Sequence, residues 1–218
     1  MKSSGTKALP GRLIAVEGID GSGKSTLTRA LAAALRRRGW SVAVRREPHD
    51  PTLGALAQAA SVRNPWTGGV YFTLDRALAH GELLRELRSH DVVLSDRSFY
   101  STLAYQGSDL RPALARRLAR LQRGATSTPD RVVLLAIDPA TALGRLGSRS
   151  SSRAPLERRA VLRRVDRAYR RLARGPRWIV IDATGSPPAV LAAVLARLDG
   201  RPPRSGGRPR SGGRRRRT

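Results

Sequence analysis

The stretch Ile14 to Thr26 (IAVEGIDGSGKST) constrains this chain more than any other. A short apolar run, Leu13 to Val16, passes through Glu17 into Gly18-Ile19-Asp20-Gly21-Ser22-Gly23-Lys24-Ser25, which fits the pattern G-x-x-x-x-G-K-[ST]. A strand pattern precedes the loop and a helix pattern follows it. In that setting the glycines let successive backbone N–H groups turn inward around phosphate oxygens, and the helix adds the positive end of its dipole. Gly18 to Thr26 is therefore the expected ATP-binding loop, with Lys24 reaching the β- and γ-phosphates and the Ser25 hydroxyl ligating Mg²⁺. A plain strand-to-helix turn would not require eight matching positions and both flanks.

The lysine count sharpens this assignment. Of 42 basic residues only Lys2, Lys7 and Lys24 are lysine, and the first two lie within the opening ten positions. Arginine fills nearly every other basic position. A lone lysine where the motif requires a compact ammonium indicates that arginine would not serve there.

Other classes fall away on composition. The 218 residues suffice for one domain with a real core, and the absence of cysteine excludes disulfides and thiolate metal sites. Nothing approaches 18 continuous apolar residues, and MKSSGTKALPGR lacks a hydrophobic signal region, so a cytoplasmic protein with no membrane partner is expected. The net charge of +26 favours an anionic ligand. It is concentrated, however, in Gly200–Thr218, with eight arginines and no acid, and in Arg145–Arg174, with eleven arginines against Glu157 and Asp166. Neither segment interleaves aromatics, as a base-stacking surface would. A weak electrostatic contact of the tail with nucleic acid is the most this charge implies.

Five apolar strand patterns alternate with helix patterns, which predicts an α/β fold: a doubly wound five-stranded parallel sheet with helices on both faces. Residues 1–10 are expected to be a disordered leader, 11–198 the folded domain with a lid at about 145–157, and 199–218 a disordered tail rich in Arg, Gly and Pro. Glu47 to Pro51 is expected to be a loop whose two prolines forbid helix, and Gly124 to Pro129 another. Gly68, Gly69 and Gly81 mark weak points in a long helix from Trp66 to Ser89.

In such sheets ligands lie beyond the C-terminal ends of the strands. Asp96 and Arg97 follow a buried strand where a helix should begin. Asp96 can hold the water shell of Mg²⁺, and Arg97 can clamp a phosphate. Phe72 and Arg76 share a helical face and could stack on and hydrogen-bond a base. Arg145, Arg149 and Arg153 recur every four residues through Gly and Ser, as arginines that close over transferring phosphates would.

Together these motifs resemble the thymidylate (dTMP) kinase family of P-loop nucleoside monophosphate kinases, over about Leu13 to Leu198. The resemblance is carried by VEGIDGSGKST (Val16–Thr26), REP (Arg46–Pro48), YFTLDRA (Tyr71–Ala77), SDRSFYSTLAYQG (Ser95–Gly107), the arginine-rich lid and IDATG (Ile181–Gly185). It implies transfer of the ATP γ-phosphate to dTMP, giving dTDP. It further implies that Phe72 stacks on thymine, Arg76 hydrogen-bonds its carbonyl edge and Pro48 lies near the base. Asp20 would sit near the sugar 3′-hydroxyl and the reacting phosphates. Arg97 would bind the acceptor phosphate, and Thr102 and Tyr105 would lie beside base and sugar. With no basic residue at Gly21 or Ser22, the catalytic arginine would be Arg149 or Arg153 in the lid. A homodimer is implied by the same analogy. Two departures touch the acceptor side: His49-Asp50-Pro51 replaces the usual glycine-rich continuation after REP, and Ser98 stands where an aromatic is usual. The alternatives are a deoxynucleoside kinase, with Glu47 as general base, and a nucleic-acid-binding P-loop NTPase.

Overall fold

The computed structural model of the chain describes residues 11–146 and 155–198. The expected leader, tail and central part of the lid, with Arg149 and Arg153, lie outside the described residues.

Five strands form one sheet: β1 (Arg12–Glu17), β2 (Val42–Arg46), β3 (Val92–Asp96), β4 (Arg131–Ala136) and β5 (Trp178–Asp182). Their order is β2-β3-β1-β4-β5, and every pairing is parallel. The chain leaves β1 for the β2 edge, returns through β3 to pair with β1, and then crosses to β4. The C-terminal ends of β1 and β3 thus lie side by side at the centre, with Val16 opposite Asp96.

Alternation along β1 explains why helices cover both faces. Ile14 and Val16 point into a cluster with Leu27, Leu31 and Leu35 of α1 (Lys24–Arg37) and with Val190 and Val194 of α8 (Pro187–Arg197). Leu13 points the other way, onto Leu83 and Leu87 of α3 (Pro65–Ser89). Ala15 packs against Phe99 and Tyr100 of α4 (Phe99–Tyr105) and Leu118 of α5 (Pro112–Ala125). Burying each α1 leucine contributes about 2 kcal/mol, enough to hold the phosphate loop's helix on the sheet. The remaining helices are α2 (Pro51–Arg63), α6 (Pro139–Leu146) and α7 (Pro155–Leu172). Among the described residues no helix is long and apolar enough to cross a membrane.

Several local expectations are corrected. Pro51 does not forbid helix; it opens α2, because a first-turn residue needs no N–H donor, and Asp50 caps the helix by accepting from Thr52 and Leu53 N–H. Gly68 is no weak point in α3. A Cβ there would lie 1.9 Å from Ser61 Oγ of α2, so the glycine is what allows the two helices to approach. Gly124 falls within α5 rather than in a loop. The helix after β3 begins at Phe99, capped by Ser98, and not at Asp96–Arg97.

Candidate active site

The loop after β1 has the backbone its glycines predict. Gly18, Gly21 and Gly23 all have positive φ, and Gly23 caps α1 in the left-handed region. Gly21 is also spatially confined. A Cβ on it would stand 2.2 Å from the Ala142 carbonyl oxygen of α6. Any side chain at that loop position would have to displace the backbone of α6. Ser22 Oγ is buried without a hydrogen-bond partner, an orphan polar atom inside the loop itself.

Lys24 folds back over the loop and donates to the carbonyls of Gly18 at 3.0 Å and Ile19 at 2.8 Å. Burial, and then repulsion from Arg97, bring its pKa down to about 8. An ammonium held at that cost is poised for anionic oxygens. Ser25 Oγ donates to Asp96 Oδ2 at 2.5 Å across the β1–β3 junction. A hydroxyl beside a carboxylate is a hard oxygen pair that fits Mg²⁺. That ion takes few protein ligands and keeps its waters and phosphate oxygens.

Arg97 adopts a left-handed backbone, with φ 79°. Such strain costs about 1–3 kcal/mol in a non-glycine residue and persists only where neighbours enforce it. Here the Arg97 N–H donates to Val16 O at 3.0 Å and Ser95 Oγ donates to Arg97 O at 2.6 Å. The guanidinium pairs with Asp20, reaches Ser101 Oγ at 3.3 Å and lies 5.6 Å from the centre of the Tyr105 ring. Tyr105 OH in turn accepts from the Asp20 N–H at 3.1 Å. Burial opposes ionisation of Asp20, but the charges of Arg97 and Lys24 outweigh it and hold its pKa below the ordinary value. Burial and the Asp20 charge push the Tyr105 phenol up.

Asp20 and Arg97 form a shared wall. On one side a cavity of about 860 Å³ is lined by the loop, Asp96, Arg145 and Gly185. On the other a cavity of about 270 Å³ is lined by Pro48, Phe72, Arg76, Thr102 and Tyr105. Asp20 and Arg97 line both. Every acceptor-side residue expected from sequence thus meets in one pocket, and every loop residue borders the other or supports it.

Arg76 is buried rather than presented. It bonds Glu47 through Nε and Nη2, both at 2.7 Å, and Nη1 reaches Thr102 Oγ1 at 3.0 Å and Gln122 Oε1 at 2.7 Å. Glu47 is therefore committed to an ion pair. The loop carrying Glu47 and Pro48 is held from α3, where the buried Asp75 carboxylate accepts from the N–H groups of His49 at 2.8 Å and Asp50 at 2.7 Å. Arg145, the first arginine of the expected lid, lines the larger cavity and bonds the carbonyls of Ala183 at 2.9 Å and Thr184 at 3.1 Å, which ties it to the segment after β5.

Sequence reasoning assigned no role to three residues. Glu17, fully buried, accepts from Ser98 N–H at 2.7 Å, Ser98 Oγ at 2.6 Å, Ser101 Oγ at 2.7 Å and Tyr169 OH at 2.8 Å. Burial raises its pKa despite these donors. It ties the end of β1 to α4 and α7. Asp75 and Gln122 are the others. Gln122 carried a readable signal: it lies four residues after Leu118, on the apolar face of a helix.

A model of the thymidylate kinase family matches residues 16–194. A thymidylate kinase of Leifsonia xyli subsp. xyli is 36% identical over 203 residues, covering 88% of this chain and 96% of that protein. One from Thermomicrobium roseum is 37% identical over 194 residues, covering 84% and 92%. A protein of Archaeoglobus fulgidus described as a probable thymidylate kinase is 33% identical over 174 residues, covering 79% and 87%.

Proposed function

The chain belongs to the thymidylate kinase family, and on that premise we propose how its own residues carry the transfer of the ATP γ-phosphoryl group to dTMP, giving ADP and dTDP. An acceptor phosphate oxygen attacks the γ-phosphorus, and the bond to the β–γ bridging oxygen breaks. The acceptor is already anionic, so positioning and charge neutralisation suffice and no general base is required. Lys24 exchanges the Gly18 and Ile19 carbonyls for β- and γ-oxygens. Arg97 turns from Asp20 to the acceptor phosphate, and Asp20 takes the sugar side. Phe72, Pro48 and Arg76 receive the base, with Thr102 and Tyr105 beside it. Ser25 and Asp96 are the groups that would hold Mg²⁺, which supplies neutralisation of the β- and γ-oxygens when bound. Arg149 or Arg153 is proposed to supply the transition-state cation, since Gly21 has no room for one.

The observation that carries this reading is the common wall. Two cavities that share Asp20 and Arg97 can hold two nucleotides end to end, with their phosphates meeting at the only charges common to both among the described residues. The deoxynucleoside kinase alternative needs Glu47 as a base, and Glu47 is already paired with Arg76. A coupled assay offering dTMP, dCMP and thymidine separates the readings. Preference for dTMP supports the first, and preference for thymidine overturns it.

We also propose a homodimer. Val70, Leu74 and Leu78 recur every four residues along α3 and are 38%, 45% and 70% exposed. A continuous apolar stripe of this kind suits a second copy. Sedimentation at micromolar concentration tests it, and a monomer would refute it.

A further inference from the structure

Gln122 is a fully buried amide in α5 whose orientation is set by its partners' chemistry. The Gly69 carbonyl can only accept, so Nε2 faces it, at 3.0 Å. A guanidinium can only donate, so Oε1 faces Arg76 Nη1, at 2.7 Å. The second Nε2 proton goes to Thr73 Oγ1 at 2.8 Å, and the Thr73 hydroxyl donates back along α3 to Gly69 O at 2.8 Å. A flipped amide would set donor against donor at Arg76 and acceptor against acceptor at Gly69. Gln122 is thus a rigid strut from α5, locked to α3 and aimed at one nitrogen.

The contacts of that nitrogen show what the strut is for. Arg76 has five N–H groups, and all are engaged. Glu47 holds one end of the guanidinium and Gln122 the other, through the three shortest contacts, each 2.7 Å. The remaining contacts are longer: 3.0 Å to Thr102 Oγ1, 3.2 Å to Phe72 O and 3.2 Å to Ser98 O. Of these partners only Thr102 offers a hydroxyl, and it lines the acceptor pocket. A hydroxyl can rotate and release the donor; main-chain carbonyls held in structure cannot. Gln122 itself does not line the pocket.

We infer that Gln122 is a positioning residue that selects the acceptor base. It holds Arg76 so that one Nη1 proton can pass from Thr102 to a carbonyl oxygen of the base. A base with an amino group at that place meets a donor it cannot accept from, and leaves a buried polar pair unmatched. Cytosine differs from thymine in this respect, as an amine replaces the 4-carbonyl. The inference rests on the dTMP reading.

The test compares Gln122→Met, which keeps the volume and removes the hydrogen bonds, with Gln122→Glu, which keeps an oxygen on Nη1. In the full-length protein, Gln122→Met is expected to raise KM for dTMP by about tenfold or more and to lower the dTMP-over-dCMP ratio of kcat/KM by about tenfold. KM for ATP should stay within about twofold, because the donor cavity does not touch the strut. Gln122→Glu is expected to keep that ratio within about threefold of the parent, although its second oxygen, set against the Gly69 carbonyl, should lower the melting temperature. A role in stability alone would lower the melting temperature and leave the ratio unmoved. An unchanged ratio in folded Gln122→Met overturns the inference, as does an equal rise in KM for both substrates. If Gln122→Met does not fold, loss of the ratio in Gln122→Glu overturns it instead. A parent that ignores dTMP defeats the acceptor assignment itself, whereas an active parent with indifferent variants defeats only the strut.

Discussion

Lys24 should destabilise the protein that it makes active. Its pKa falls from 10.5 to about 8 on folding, chiefly through burial. At 1.36 kcal/mol per unit, the charged side chain costs the empty fold about 3 kcal/mol at neutral pH. For a base with a lowered folded pKa, the penalty is full below the folded value and fades as pH climbs toward the unfolded one. Between pH 7 and 9.5 the parent should recover about 2 kcal/mol relative to a variant lacking this group. Lys24→Met removes the charge but leaves the Gly18 and Ile19 carbonyls without their donor, which returns about 1–2 kcal/mol of cost. The variant should therefore be about 1–2 kcal/mol more stable than the parent at pH 7. Turnover should fall by about 10²-fold or more, as the γ-phosphate loses its cation. Urea titrations of both proteins without nucleotide, at pH 7 and pH 9.5, measure the gap, and other titrating groups cancel between them. A gap that does not move toward the parent as pH rises would refute the account of Lys24.

Glu17 works in the opposite sense. Burial raises its folded pKa, so the parent loses stability as pH climbs from the ordinary carboxylate range through the folded value. Glu17→Gln should lack that slope when denaturation is followed from pH 4.5 to 7, and an identical slope in both proteins would contradict the assignment. Asp75→Ala should cost about 2–3 kcal/mol in a urea titration and raise KM for dTMP, because two backbone N–H groups lose a buried carboxylate. Unchanged acceptor KM would show that the loop after β2 does not need this anchor. Gly21→Ala forces a side chain into a left-handed turn, costing about 1–2 kcal/mol before the clash with α6. Its KM for ATP should rise with little effect on dTMP binding, as equilibrium titration with each nucleotide would show.

The parts of this fold that follow a period or a motif were legible beforehand. The apolar run of β1, the Leu27-Leu31-Leu35 face of α1 and the order of strands and helices all follow from local chemistry, as does the glycine loop. Helical spacing and strand ends pointed to Phe72, Arg76 and Arg97, resemblance added Pro48, Thr102 and Tyr105, and these meet around one cavity. Other features depend on partners distant in the chain. The buried clamp on Arg76 joins Glu47, Thr102 and Gln122 from three elements, and nothing near residue 76 announces it. Glu17 resembles the end of a strand until Ser98, Ser101 and Tyr169 are brought to it. Pro51 is ambiguous from sequence because its missing N–H matters only inside a helix, and Asp50 places it at the start. Gly68 reads as a flaw in α3 because its reason for being small, Ser61, belongs to another helix.

The central claim is that two nucleotides face each other across the Asp20–Arg97 wall. A single molecule in which adenosine and thymidine are joined through their 5′ positions by a pentaphosphate tests it by steady-state inhibition. If the wall is where the two phosphate chains meet, that compound will compete with both ATP and dTMP. Competition with ATP alone, leaving the apparent affinity for dTMP untouched, would contradict it.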